Sequence, residues 1–567
     1  MAAPPRTDRD DGLLFLALGG AGEIGMNLSL YGQDGRWIMV DCGVTFADDS
    51  LPGVDLVFPD PGFIVERRDS LLALFLTHAH EDHLGAVATL WGQLGCPVYA
   101  TPFTAAILRR KLNEAGIAAQ VPVTVVGYSH AIKLGPFSVT YLPITHSIPE
   151  GSALLIESGL GTVFHSGDWK LDDQPLLGAP PDQVLFERIG RRGVDVLVCD
   201  STNALRDGVS GSEAEVRDSL REIVRQRRGR VAVATFASHI ARVASLAEIG
   251  HETGREVALV GRSLWRTVEA AKEAGYLADL PTLLTDEEAA YIAPEKLLLI
   301  CTGCQGEARG AMSRIAYGDH PTIDLEAGDT VIFSSRIIPG NERTIGRLCN
   351  ALIADDIEVI TEKTAFVHVS GHPARDELRR LYGWLKPKAA VPVHGEAAHL
   401  RAHADLARDL GVEHVTTIEN GQLLRLRPGP PEVIDHVRAG RLVLDGRRLL
   451  PADHDVIRAR KRLMHHGYLG LTVVVDENGR WIAPPQVSAH GIAELSTEAD
   501  LNRLEAALAN ELARLDGRDH DAIDLAARRL LNRDVRQSSG KRPIIDIQIV
   551  TAQGVAAHEP RRKAGNQ

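Results

Sequence analysis

Four potential metal ligands fall within six consecutive residues, His78-Ala-His80-Glu-Asp82-His83, directly after the apolar run Leu71-Leu-Ala-Leu-Phe-Leu-Thr77. Imidazole and carboxylate donors at this density suit a borderline divalent metal such as Zn²⁺ or Mn²⁺. The apolar run predicts a buried strand, and Leu84-Gly-Ala-Val-Ala-Thr-Leu-Trp91 predicts a helix. A ligand cluster on the loop between them restricts the chain to an α/β architecture with its chemistry at strand ends. A solvated His-rich tract is the competing reading. It accounts for two or three histidines, but not for Asp82 in register behind a matching strand.

The rest of the chain fits a multidomain enzyme. At 567 residues it is too long for one core, which implies several domains of about 100–200 residues each. No apolar run approaches the roughly 20 residues that span a bilayer, so no membrane partner is expected. The polar, Pro-containing start, residues 1–12, predicts a disordered lead-in rather than a signal peptide. Six cysteines are too few for a disulfide scaffold and favour a reducing cytoplasm. The one close pair, Cys301-Thr-Gly-Cys304, has no second pair to complete a zinc ribbon and is read as two core thiols. A net charge of −13 excludes indiscriminate coating of nucleic acid. Basic residues are nevertheless dense at Arg425, Arg427, Arg438, Arg441, Arg447 and Arg448, and again in Arg458-Ala-Arg460-Lys-Arg462. They form either a polyanion-contacting surface or a solvated linker.

Gly20-Ala-Gly22-Glu-Ile-Gly25 fits G-x-G-x-x-G after the strand-like Leu13–Leu18, with Asp41 further along. A dinucleotide site needs that turn to open a helix. Period-2 sequence follows instead, with a Gln33-Asp-Gly35 turn and then Trp37–Val40, so the segment predicts a β-hairpin. Three further strands end on polar groups: Tyr141–Thr145 on His146, Thr162–His165 on Ser166-Gly-Asp168, and Ala390–Val393 on His394. Singly each is an ordinary strand-terminal residue. With the His78–His83 cluster they make the seven ligands of a centre for two divalent ions, a pairing suited to in-line displacement at a phosphoester.

His78-x-His80-x-Asp82-His83, with Asp41 before it and His146 and Asp168 after, resembles the metallo-β-lactamase superfamily. Asp200 in Val198-Cys-Asp200, His372 in His368-Val-Ser-Gly-His372, and His394 in Val393-His-Gly-Glu396 resemble its β-CASP nucleic-acid-processing branch. Gly19–Gly25, Asp200-Ser-Thr-Asn203 and Thr235-Phe-Ala-Ser-His239 are similar to bacterial ribonuclease J. The matches run from about Gly19 to Glu396. Cys304 stands where a serine is expected and Ala79 where glycine is frequent, and neither position should touch metal.

This resemblance implies an α/β fold: an αββα metallo-β-lactamase sandwich interrupted by an inserted β-CASP α/β domain, with a small C-terminal α/β domain. The boundaries expected are 13–205 and 361–450 for the sandwich and linker, 206–360 for the insertion, 451–556 for the C-terminal domain and 557–567 for a frayed tail. One ion would take His78, His80 and His146, the other Asp82, His83 and His394, with Asp168 bridging; zinc is the first expectation and manganese the second. Asp41 would orient the ligand loop, His372 would contact the scissile phosphate and assist the leaving group, and Asp200 would set a histidine tautomer. His368, Val369, Ser370, Gly371 and His372 would form one wall of a site for RNA, and Ala237, Ser238 and His239 the other. A hydroxyl and backbone N–H groups in a Gly-flanked turn suit a phosphate. A pocket for a 5′-monophosphate there implies a 5′→3′ exonuclease, with possible endonuclease action, in RNA maturation and decay. The implied partners are single-stranded RNA and further copies of the chain in a homodimer or homotetramer. A lactone or thioester hydrolase on the same metal core is the alternative, but it has no use for the insertion or for His372. A metal-free RNA-binding scaffold predicts missing ligands, and none is missing.

Overall fold

The computed structural model describes residues 12–48 and 50–552. The expected lead-in and tail lie outside those residues, apart from Gly12. Two compact units separate, one of Leu56–Leu442 with the chain up to Phe46, the other of Val443 onward with Ala47–Asp55.

In the first unit an eight-stranded and a seven-stranded sheet pack face to face. Inward residues of both build one core, Phe15, Tyr31, Ile38 and Phe75 from the first against Val139, Tyr141, Ile156, Val198 and Val391 from the second. Helices Val87–Leu94 and Pro102–Glu114 belong with the first sheet, and helices Gln183–Arg192 and Arg375–Leu385 pack Phe186, Leu381 and Trp384 into a second core. This is the expected αββα sandwich.

The segment around Gly20 is a strand pair, as its period-2 pattern predicts: Leu28–Gln33 runs antiparallel to Arg36–Val40, with Ser29 opposite Val40. The ligand run differs slightly from expectation. The strand is Leu71–Phe75, and a short helix already starts at Glu81, so Asp82 and His83 sit on a helical turn rather than on the loop. Cys301 and Cys304 are free and buried, the core-thiol reading.

The insertion shows in strand register. Val196–Asp200 pairs in parallel with Ala389–Val393, placing Asp200 beside Val393 although nearly two hundred residues intervene. Between them lies a separate six-stranded sheet whose recorded pairings are all parallel, with its own core of Ala232, Leu299, Val331 and Leu348. Its first helix, Glu213–Arg225, begins at Ser212 in a capping box with Glu215. In the second unit Tyr468–Asp476 pairs antiparallel with Trp481–His490 around the Asn478-Gly479 turn, and in parallel with Ile544–Ala552. Leu504, Leu508 and Leu512 of helix Glu498–Leu512 cover that sheet's core. Among the described residues no helix is long and apolar enough to cross a membrane.

Candidate metal centre

The seven candidate ligands converge at the strand ends of the sandwich. One group is His78, His80 and His146; another is Asp82, His83, Asp168 and His394; within each group the donor atoms lie within 4.8 Å of one another. Asp168 connects them. Its Oδ2 is 3.1 Å from His83 Nε2, 3.9 Å from His78 Nε2 and 4.0 Å from His146 Nε2, and its Oδ1 is 3.5 Å from His394 Nδ1.

Hydrogen bonds behind the rings decide which nitrogen faces inward. Asp41 Oδ2 accepts from His83 Nδ1 at 2.7 Å and from the Thr77 hydroxyl at 2.8 Å. With its proton committed to Asp41, Thr77 Oγ1 can only accept from His78 Nδ1, 3.0 Å away. Gly371 O takes the Nδ1 proton of His146 at 2.6 Å, and Asn27 Oδ1 that of His394 at 2.9 Å. Each of these four rings thereby turns its Nε2 inward. Burial disfavours protonation of His83, but Asp168, then Asp82 and Asp41, outweigh it and hold that ring well above the usual histidine range. His80 presents the other nitrogen: its Nδ1 lies 3.1 Å from both His78 Nε2 and His146 Nε2. The outward bonds have the form usual behind metal-bound imidazoles.

Protonation follows burial and charge. Burial first, then the neighbouring imidazoles, hold His78 and His146 well below the usual histidine range, and burial takes His80 to about 4. These three rings are neutral donors. Burial opposes ionisation of Asp168, but His394, His83 and His372 outweigh it and keep the carboxylate charged. The donor set therefore fits divalent cations: imidazoles, three of them neutral, converge on a shared carboxylate, and His394 Nε2 is buried without a hydrogen-bond partner. Asp41 and His394 also hold left-handed backbone, φ 63° and 51°, a local cost of about 1–3 kcal/mol each that the surrounding bonds offset.

Asp200 and His372 sit at the edge of this cluster. His372 Nδ1 is 2.8 Å from Asp200 Oδ2, while Asp200 Oδ1 accepts from the backbone and hydroxyl of Thr202. Burial disfavours protonation of His372, but Asp200 and then Asp168 more than compensate, raising it to about 9. The Ser370–His372 turn is tied to the same site. Ser370 Oγ accepts from Asn203 Nδ2 at 2.7 Å and from His372 N at 3.2 Å, so its own proton stays available. Gly371 cannot carry a side chain, because a Cβ would come within 2.9 Å of His146 Cε1.

The residues of the other expected wall lie at the start of helix Ile240–Glu252. His239 is buried, with Nε2 3.1 Å from Glu213 Oε1, and it occupies the N-cap position of helix Ile240–Glu252 without a capping side-chain bond. Ala237 and Ser238 are half-buried beside it. His368 is held well below its ordinary range by burial and then Arg242. Val369 is buried, and a Cβ at Gly211 would come within 2.8 Å of it.

Sequence reasoning missed three residues here. Asn27 joins His394 to the Asp82 carbonyl, Asn203 carries the Ser370 turn, and the exposed Arg336 of the insertion reaches Asn203 Oδ1 at 3.0 Å. Asn203 was visible within a motif, but the partners of Asn27 and Arg336 are remote in sequence and no local pattern marks them. Part of the basic stretch is paired: Arg425 with Glu432, Arg438 with Asp60, Arg441 with Glu23, Arg458 with Asp455 and Arg460 with Asp445.

Comparison with known proteins agrees with this geometry. Residues 36–211 match the beta-lactamase superfamily domain and 356–417 the Zn-dependent metallo-hydrolase RNA specificity domain. Residues 228–352 match the ribonuclease J beta-CASP domain and 455–552 the ribonuclease J C-terminal domain. Fold and site thus define a divalent-metal hydrolase of the β-CASP metallo-β-lactamase class. The chain is 45% identical to ribonuclease J of Sinorhizobium meliloti over 95% of its length and 97% of that protein. It is 38% identical to ribonuclease J of Mycolicibacterium smegmatis, covering 96% of this chain and 98% of that one. It belongs to the ribonuclease J family. A crystallised protein of unknown function from Enterococcus faecalis V583 shares the fold at 16% identity, with a TM-score of 0.51 over 73% of this chain and all of that one.

Proposed function

We propose that this chain degrades RNA from the 5′ end, 5′→3′, preferring a 5′-monophosphate and with endonuclease action as a second mode. Membership of its family makes it a metal-dependent ribonuclease, and a lactone or thioester hydrolase is not favoured. The finer reading rests on one observation. The Ser370–His372 turn, the proposed phosphate seat, is bonded through Gly371 O to His146, a proposed metal ligand. A terminal phosphate held there lies at a fixed remove from the reacting phosphodiester, which is how a chain end is measured off. His368 and Val369 complete this wall, and Ala237, Ser238 and His239 form the opposite one, with His239 acting through Glu213.

The site is read as holding two divalent ions, zinc first and manganese second. His78, His80 and His146 would hold one, Asp82, His83 and His394 the other, and Asp168 would serve both. Such ions supply Lewis acidity and an activated water for phosphoester hydrolysis. The chain's residues do the rest. Asp41 and Thr77 keep His83 and His78 aimed inward. His372, charged at neutral pH and steadied by Asp200, holds the proton that the leaving oxygen needs. The proposal extends to the boundaries expected from sequence, a homodimer or homotetramer, and a cytoplasmic setting, which the free cysteines favour.

The test gives chelator-stripped protein RNAs bearing 5′-monophosphate, 5′-triphosphate or 5′-hydroxyl, with Zn²⁺ or Mn²⁺ restored. Mononucleotide release from the 5′ end, fastest on the monophosphate, is expected. Cleavage indifferent to the 5′ group would remove the end-measuring reading. No RNA cleavage with either metal would remove the whole proposal.

A further inference from the structure

The glycine-rich segment Gly19–Gly25 matches a nucleotide-binding pattern but forms no helix, and the reaction described above leaves it without a task. Its geometry is specific nonetheless. Gly20 has φ +86°, and a Cβ on it would lie 2.2 Å from Asn27 Oδ1. A Cβ on Gly19 would lie 1.8 Å from Met26 O. Gly20 clears the space that the Asn27 amide occupies, and Gly19 admits the Met26 carbonyl just before it.

That amide sits between the two histidines of one proposed metal position. Its Nδ2 donates to Asp82 O at 3.0 Å, and a carbonyl only accepts, so the orientation of the amide is fixed. Oδ1 therefore faces His394 and accepts its Nδ1 proton at 2.9 Å. Nδ2 also lies 3.0 Å from His83 Nε2. The backbone of the same residue donates to Asp82 O and accepts from Gly43 N, each at 2.9 Å. The loop is held from its far side as well. His394 N donates to Gly20 O, Ala21 N to Asn420 Oδ1, and Asn420 Nδ2 to Glu23 Oε1.

The rings of the other position are braced elsewhere, His78 by Thr77 and His146 by Gly371. We propose that Asn27, seated by the Gly19–Gly25 loop, is the positioning residue for one metal position only. It locks His394 in the tautomer that leaves Nε2 free and ties that ring to the helical turn carrying Asp82 and His83. The buried Nε2 of His394, which has no hydrogen-bond partner and faces Asp82 Oδ2 at 3.8 Å, is the atom this lock presents. The inference rests on the two-ion reading and can fail separately from it.

The experiment counts metal rather than turnover. Full-length protein, stripped by chelation, is titrated with Zn²⁺ alone against a chromophoric competitor. The unsubstituted chain should take two equivalents. Asn27→Ala should keep the first unchanged and weaken the second by about 10–100-fold, the usual scale for losing an outer partner of a ligand. Gly20→Ala, which displaces the amide without removing it, should do the same; it carries the test if Asn27→Ala fails to fold, as judged by circular dichroism of stripped protein. Two equivalents at full affinity in either folded variant would overturn the inference. So would equal weakening of both, which is the mark of a general structural role. Fewer than two equivalents in the unsubstituted chain would instead overturn the two-ion reading, and the inference with it.

Discussion

Two buried polar clusters lie in the first unit, and they are built on opposite principles. At the metal centre four imidazoles turn an anchored Nδ1 outward, and together with His80, Asp82 and Asp168 they bring donor atoms toward one another. At the root of the insertion Arg242 meets both oxygens of Glu213 from Nη2, at 2.8 and 3.1 Å, and Oε2 again from Nε, and its Nη1 donates to the Ser334 and Val367 carbonyls. Lys170 adds further positive charge around Glu213, and His239 Nε2 lies 3.1 Å from its Oε1. The second cluster spends its charge internally. The first collects lone pairs that only a cation can satisfy together. Burial of polar groups therefore does not by itself mark a reactive site; convergence without mutual satisfaction does.

The sharpest way to break this contrast is to remove the shared carboxylate. Asp168→Asn keeps the shape but not the charge. It should lower RNA cleavage by about 10³-fold or more, the scale of losing a preorganised electrostatic group, and take bound metal below two per chain. Full metal content with full activity would put the bridging role elsewhere.

The matching change in the other cluster is Glu213→Gln. It strands a buried guanidinium, and breaking such a pair costs about 3–5 kcal/mol of stability. Metal content of the folded fraction should not change. The pH dependence has a definite sign. Burial would raise the Glu213 carboxyl, but Arg242 and then His239 outweigh it and hold it well below its ordinary 4.5. A depressed folded value means that its stabilisation is complete above about pH 4.5 and fades as pH falls through that lower value. Urea midpoints of the two proteins should thus differ most near neutrality and converge in acid. A constant gap, or one that widens in acid, would deny the ion pair its role.

How much of this was legible follows from sequence distance. His78 to His83 could be read at once, because a helical turn after a strand presents adjacent residues to one point. Asp168 and His394 were found as strand ends, since parallel neighbours finish at the same edge of a sheet. Asn27 was not found, because its task depends on His394, 367 positions away. Nothing local singles out Glu213: it lies in the charged helix Glu213–Arg225, yet it is only 5% exposed, and periodicity does not reveal which charge turns inward. His239 was read as a pocket wall from its place after a strand; the structure turns its Nε2 toward Glu213.

Ser370 lies between the two clusters, and its substitution is the finest test of the comparison. Asn203 donates to its hydroxyl and Arg336 of the insertion holds Asn203, while Gly371 next to it holds His146. Ser370→Ala removes an acceptor that Asn203 can replace with water and a donor that a phosphate cannot replace. One hydrogen bond to a charged group is worth about 1.5–3 kcal/mol, so the loss expected is tenfold or somewhat more. It should appear in KM for 5′-monophosphorylated RNA, with kcat and metal content nearly unchanged. On 5′-hydroxyl RNA the variant and the unsubstituted chain should be alike, because that end brings no phosphate to the turn. An equal loss on both RNAs would mean that Ser370 serves only to hold the turn, which would return it to the internally satisfied kind of cluster.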